Sequence, residues 1–65
     1  MANYRLCIKT NFSAAFKQQS KAFFDTLSEK GIVFNNGQTE LSDEQVLFVY
    51  DTAIIYHLQI NLIKL

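Results

Sequence analysis

Residues 42–65 read SDEQVLFVYDTAIIYHLQINLIKL, and the fold turns on whether this stretch is strand or helix. Its opening argues for a helix. Ser42 and Gln45 have the spacing of a capping box, and Asp43 and Glu44 would complement the positive end of a helix dipole. Glu44, Asp51, Thr52 and Gln59 also recur on one helical face. The remainder argues for strands. Val46 to Tyr50 and Ile54 to Leu65 are crowded with β-branched and aromatic residues, and Leu58, Ile60 and Leu62 alternate with His57, Gln59 and Asn61. The pattern favours two strands turning at Asp51 to Ala53, with a second helix as the alternative.

Upstream the signals are less divided. Asn36-Gly37 is a strong two-residue hairpin signal, because both residues tolerate positive φ, and it joins Ile32–Asn35 to Gln38–Leu41. Before it, Phe12, Ala15, Phe16, Gln19, Phe23 and Leu27 recur at a period of 3.6, which predicts an amphipathic helix over about residues 13–30. Lys17, Gln18, Lys21, Asp25 and Ser28 form its polar face. Asn11 or Ser13 can cap its start, and Gly31 can close its end in the left-handed conformation with Ile32 packing back. Phe24 falls about 100° off the apolar stripe, either packed at its flank or open to a partner. From Asn3 to Thr10 the alternation of Tyr4, Leu6 and Ile8 with Arg5, Cys7 and Lys9 predicts a strand.

These elements assemble into a single small α+β domain over residues 1–65: one strand, one amphipathic helix, then an antiparallel meander with the helix packed on one sheet face. The alternative order is β-α-β-β-α. Tyr4, Leu6, Ile8, Leu58 and Ile60 are expected on the face that meets the phenylalanine stripe. A long apolar terminal strand at an open edge would invite pairing with another chain.

Composition narrows the function. A chain of 65 residues buries only roughly 60% of its unfolded surface, so small domains usually rely on a staple. Cys7 is the single cysteine, which excludes an internal disulfide, and no Cys/His cluster offers a structural metal. An apolar fraction of 49% and nine phenylalanines and tyrosines point instead to a rich core or to self-association, so a homodimer is expected. The N-terminus carries no secretory or targeting pattern, and polar residues from Asp51 to Lys64 interrupt the one apolar stretch. The expectation is a cytoplasmic protein of a bacterial or host cell with no membrane partner.

The net charge of zero hides a division. Residues 1–30 hold Arg5, Lys9, Lys17, Lys21 and Lys30 against Asp25 and Glu29, whereas residues 31–65 hold Glu40, Asp43, Glu44 and Asp51 against Lys64. A dipole of this kind suits a complementary protein surface better than duplex nucleic acid, which requires a concentrated basic surface.

Catalytic chemistry is sparse. Cys7 between Arg5 and Lys9 would be a reactive thiol only if that face is solvated, and the simpler reading is a small strand side chain. A Cys7–His57 nucleophile and base pair lacks an orienting third group, and His57 has no second ligand at metal spacing. Gly31 and Gly37 form no phosphate loop, and Glu40, Asp43 and Glu44 lack the glycine of a calcium loop. Neither enzyme nor cofactor is expected. Phe34, Phe48, Tyr50 and Tyr56, with Arg5 and Lys9, would make a base-stacking platform if they shared the sheet surface.

The favoured expectation is therefore a non-enzymatic protein-binding module that blocks or regulates a larger protein. Phe24, Tyr50 and Tyr56 are its candidate anchors, and Glu40, Asp43 and Glu44 its candidate charge patch. Five lysines to one arginine, with abundant Ile, Asn and Phe, suit a low-GC bacterial or phage genome. The alternatives are a nucleic-acid-binding module or a self-assembling structural protein.

Overall fold

Alternation of side chains along the first strand sets the two faces of the sheet. The computed structural model describes residues 1–9 and 14–65. In β1 (Ala2–Lys9), Ala2, Tyr4, Leu6 and Ile8 are half-buried, and Asn3, Arg5, Cys7 and Lys9 are exposed. Next come α1 (Ala14–Glu29), β2 (Gln38–Leu41), α2 (Asp43–Ile55) and β3 (Gln59–Lys64). The sheet order is β2-β1-β3, and β1 is antiparallel to both neighbours. Tyr4 pairs with Thr39 on one side and with Lys64 on the other, and Cys7 pairs with Asn61. β2 and β3 therefore run parallel with β1 between them, and α2 is the crossover that joins them.

The α+β class, the antiparallel sheet and the helical packing on one sheet face agree with the sequence reading. The meander does not extend through residues 43–55. Val46 to Tyr50, expected as a strand, is the middle of α2, and Asp51 to Ala53 continues the helix instead of turning. The capping box decides this locally. Gln45 N–H donates to Ser42 Oγ at 3.2 Å, and Ser42 N–H donates to Gln45 Oε1 at 2.8 Å. β-branched residues cost a helix a few tenths of a kcal/mol each, whereas burying a Val side chain regains roughly 1.5–3 kcal/mol. Val49, Thr52 and Ala53 are all buried, so tertiary packing outweighs propensity. Thr52 settles its hydroxyl by donating to Phe48 C=O at 2.7 Å. The terminal alternation does form a strand, so the chain combines the helix of the alternative order with the final strand of the favoured one.

Both helices end in the same way. At α1, Ile32 N–H donates to Leu27 C=O and Gly31 N–H to Ser28 C=O, with Gly31 at φ 77°. At α2, Leu58 N–H donates to Ala53 C=O and His57 N–H to Ile54 C=O, with His57 at φ 59°. These are two Schellman motifs, one closed by glycine and one by histidine. In each, the following apolar residue, Ile32 or Leu58, turns back into the core.

The expected Asn-Gly turn is present. Asn36 and Gly37 have φ 53° and 76°, and Asn35 and Gln38 exchange backbone hydrogen bonds across them. Its first arm is shorter than expected, since residues 32–34 form no strand and Asn35 makes a single bridge. Ala15, placed on the apolar stripe of α1 by the periodicity, sits at its rim and is exposed. The caps Asn11 and Ser13, the strand end at Thr10 and the stripe residue Phe12 lie outside the described residues.

The core joins Phe23 and Leu27 of α1 to Val49 and Ala53 of α2, with Ile32, Leu41 and Leu58 closing it. Tyr4, Leu6, Ile60 and Leu62 supply its sheet floor. No buried side-chain nitrogen or oxygen among the described residues lacks a hydrogen-bond partner.

Candidate protein-docking face on helix α2

An amphipathic helix covering a sheet should be polar on its outer side, and α2 is not. Residues two apart on a helix are rotated by about 200°, so Leu47 points away from the core that holds Val49. Ile54, seven residues on, returns to within about 20° of Leu47 and lies roughly 10 Å along the axis. Leu47, Ile54 and Ile55 are 66%, 71% and 68% exposed. Asp51 lies between Leu47 and Ile54 on the same outer side, and Asp43 and Glu44 flank the stripe in the first turn; all three acids are exposed. Residues 31–63 contain no Lys or Arg, so the stripe around Asp51 carries no cation of its own; toward the start of α2, Glu44 shares a depression with Lys30, and Asp43 shares one with Lys64.

The six residues singled out in the sequence do not converge on one site. Asp43 and Glu44 belong to this face, but Glu40 pairs with Asn3 and lies on the open face of the sheet. Tyr50 and Tyr56 are half-buried, and their hydroxyls are engaged within the domain. Leu62 N–H donates to Tyr50 Oη at 2.8 Å, occupying a backbone donor on the outer edge of β3. Tyr56 Oη lies 2.8 Å from Thr26 Oγ1, whose own proton goes to Ala22 C=O at 2.9 Å, so Tyr56 is the donor. That bond ties α2 to α1.

Phe24 is 38% exposed and packs edge-to-face against Phe23 and Phe34, with ring centroids 5.1 and 6.4 Å away. It lines a shallow depression with Val33 and Phe34. Thr26, bonded to Tyr56, marks the side of α1 that faces α2. Phe24 is about 160° around from it, so its patch lies on the far flank of α1.

The stacking platform is not assembled on the sheet. Phe48 and Tyr50 are on α2, Tyr56 follows its last turn, and Phe34 is in the connection before β2. The open sheet face carries Asn3, Arg5, Cys7, Lys9, Gln38, Glu40, Gln59, Asn61 and Ile63, none of them aromatic. Cys7 is an exposed free thiol in mid-strand, where burial is the commoner fate of an unpaired cysteine. His57 lies outside any strand and closes α2. Among the described residues no group of three His, Cys, Asp or Glu side chains is placed to hold a metal ion, and no helix is long and apolar enough to cross a membrane.

Comparison with known proteins finds no matching family model, no matching curated protein and no matching solved structure.

Sequence reasoning missed Leu47, Asp51, Ile54 and Ile55 as a group. The signal was there in the capping box. A helix started at Ser42 places Leu47 and Ile54 opposite Val49 and Ala53, leaving two apolar sides where one core needs only one.

Proposed function

We propose that this chain is a protein-binding module that docks a larger protein against the outer side of α2 and acts by occupying that partner's surface. The observation that carries the reading is the exposure of Leu47, Ile54 and Ile55 on a helix whose other side is already the core. Fully burying one such side chain is worth roughly 1.5–3 kcal/mol, so covering three that are about two-thirds exposed would contribute roughly 3–6 kcal/mol to association. No comparable return comes from the open sheet face, which is largely polar.

A photo-crosslinking residue placed at Leu47, and in a second preparation at Lys17 on the solvent face of α1, tests this in extracts of the host cell. The expected result is one defined adduct from position 47, lost on Ile54→Ser, and none from position 17. Indistinguishable products from the two positions would end the proposal. Inhibition follows as the mode of action if the adducted partner loses activity in proportion to added protein.

A further inference from the structure

The docking reading leaves open what covers α2, and the charges around the stripe narrow it. Resting on that reading, we infer that the occupant is a cationic amphipathic helix with apolar residues seven apart and a Lys or Arg midway between them. Leu47 and Ile54 have that seven-residue spacing, and Asp51 sits between them on the same outer side. A helix laid along α2 meets two apolar contacts and, between them, one carboxylate. Desolvating Asp51 without an opposite charge is unfavourable, so the occupant must bring a cation to that level.

The same charges exclude the other occupants. A second copy docked through α2 about a two-fold axis sets Leu47 against Ile54 of its mate. The axis then passes close to residue 51, facing Asp51 with its own symmetry equivalent. No Lys or Arg on α2 relieves that contact. An anionic lipid surface or a nucleic acid meets the same carboxylates with like charge.

Two designed helical peptides test the inference. Both carry leucines at the seven-residue spacing; one has lysines at the intervening and flanking positions, the other glutamates. Fluorescence anisotropy with the full chain should show binding of the lysine peptide at least tenfold tighter than the glutamate peptide, weakening as salt rises. Asp51→Lys should reverse the preference, and Leu47→Ser should weaken the lysine peptide at all salt concentrations. Equal affinities, no binding of the lysine peptide by the unaltered chain, or salt-independent binding would each overturn the inference, whether or not a variant folds. So would sedimentation of the chain with phosphatidylglycerol vesicles, or a concentration-dependent dimer that Leu47→Ser dissociates. Position-specific crosslinking at Leu47 with equal peptide affinities would leave the docking reading standing and remove only the cationic partner.

Discussion

Replacing His57 with glycine should stabilise the domain. His57 is a non-glycine residue at φ 59°, closing α2 where Gly31 at φ 77° closes α1 with the same pair of backbone hydrogen bonds. A Cβ in the left-handed region costs roughly 1–2 kcal/mol, and histidine is among the residues that tolerate it better. Glycine removes that cost and gives back about 0.5–1 kcal/mol because the unfolded chain gains freedom. The net gain is about 0.5–1 kcal/mol. With an unfolding entropy near 2.1 cal/mol/K per residue, a chain of 65 residues should then melt roughly 4–7 °C higher. Thermal unfolding followed by circular dichroism at 222 nm, run beside urea titrations, measures both quantities. His57→Ala is the control, since it keeps the strained φ and should stay within about 0.5 kcal/mol of the parent. A glycine variant no more stable than the parent, or an alanine variant that gains as much, would refute the assignment of strain to the backbone.

Other substitutions probe the remaining joints of the fold. Ser42→Ala removes the side-chain acceptor at the start of α2 and should cost about 1 kcal/mol in urea unfolding, with an unchanged slope. Tyr56→Phe deletes the donor to Thr26 and should cost about 0.5–1.5 kcal/mol, measured in the same way. Val49→Ala opens a cavity in the middle of the core and should cost roughly 2–3 kcal/mol, enough to leave much of so small a domain unfolded at 37 °C by circular dichroism. Leu47→Ser, two residues away, should change stability by about 0.5 kcal/mol or less, because its side chain is 66% exposed and does not belong to the core.

The parts of the fold legible in the sequence are those with one apolar side and one polar side. Tyr4, Leu6 and Ile8 alternate with Arg5, Cys7 and Lys9, and β1 follows them. The stripe of Phe16, Phe23 and Leu27 against Lys17, Lys21 and Ser28 marks α1, and Gly31 marks its end. α2 has no such contrast. Val49 and Ala53 face the core while Leu47 and Ile54 face outward, so the helical period is flattened and the β-branched content stands out in its place. The residues that hid the helix are thus the ones that make it a candidate site. Tyr50 and Tyr56 stand out in the sequence as aromatics in an apolar run, and nothing in a linear pattern shows that their hydroxyls meet Leu62 and Thr26. Cys7 is the converse case. Alternation gives its face, but the exposure of that face depends on both helices lying on the other side of the sheet.

The placement of β1 at the centre of the sheet also governs when the domain can form during synthesis. β1 finds only four paired residues in β2, and its longer partnership, joining Tyr4–Lys9 to Gln59–Lys64, spans nearly the whole chain. While residues 59–64 are still inside the ribosome, the emerged chain holds a first strand with one short neighbour and an uncovered row of backbone groups on its other side. Pairings between residues so far apart in sequence repay their closure entropy only once both are free, which makes them late and slow. The sheet is therefore completed in one late step, once residues 59–64 are free to pair, and until then Tyr4, Leu6 and Ile8 depend on chaperones or on speed to escape aggregation.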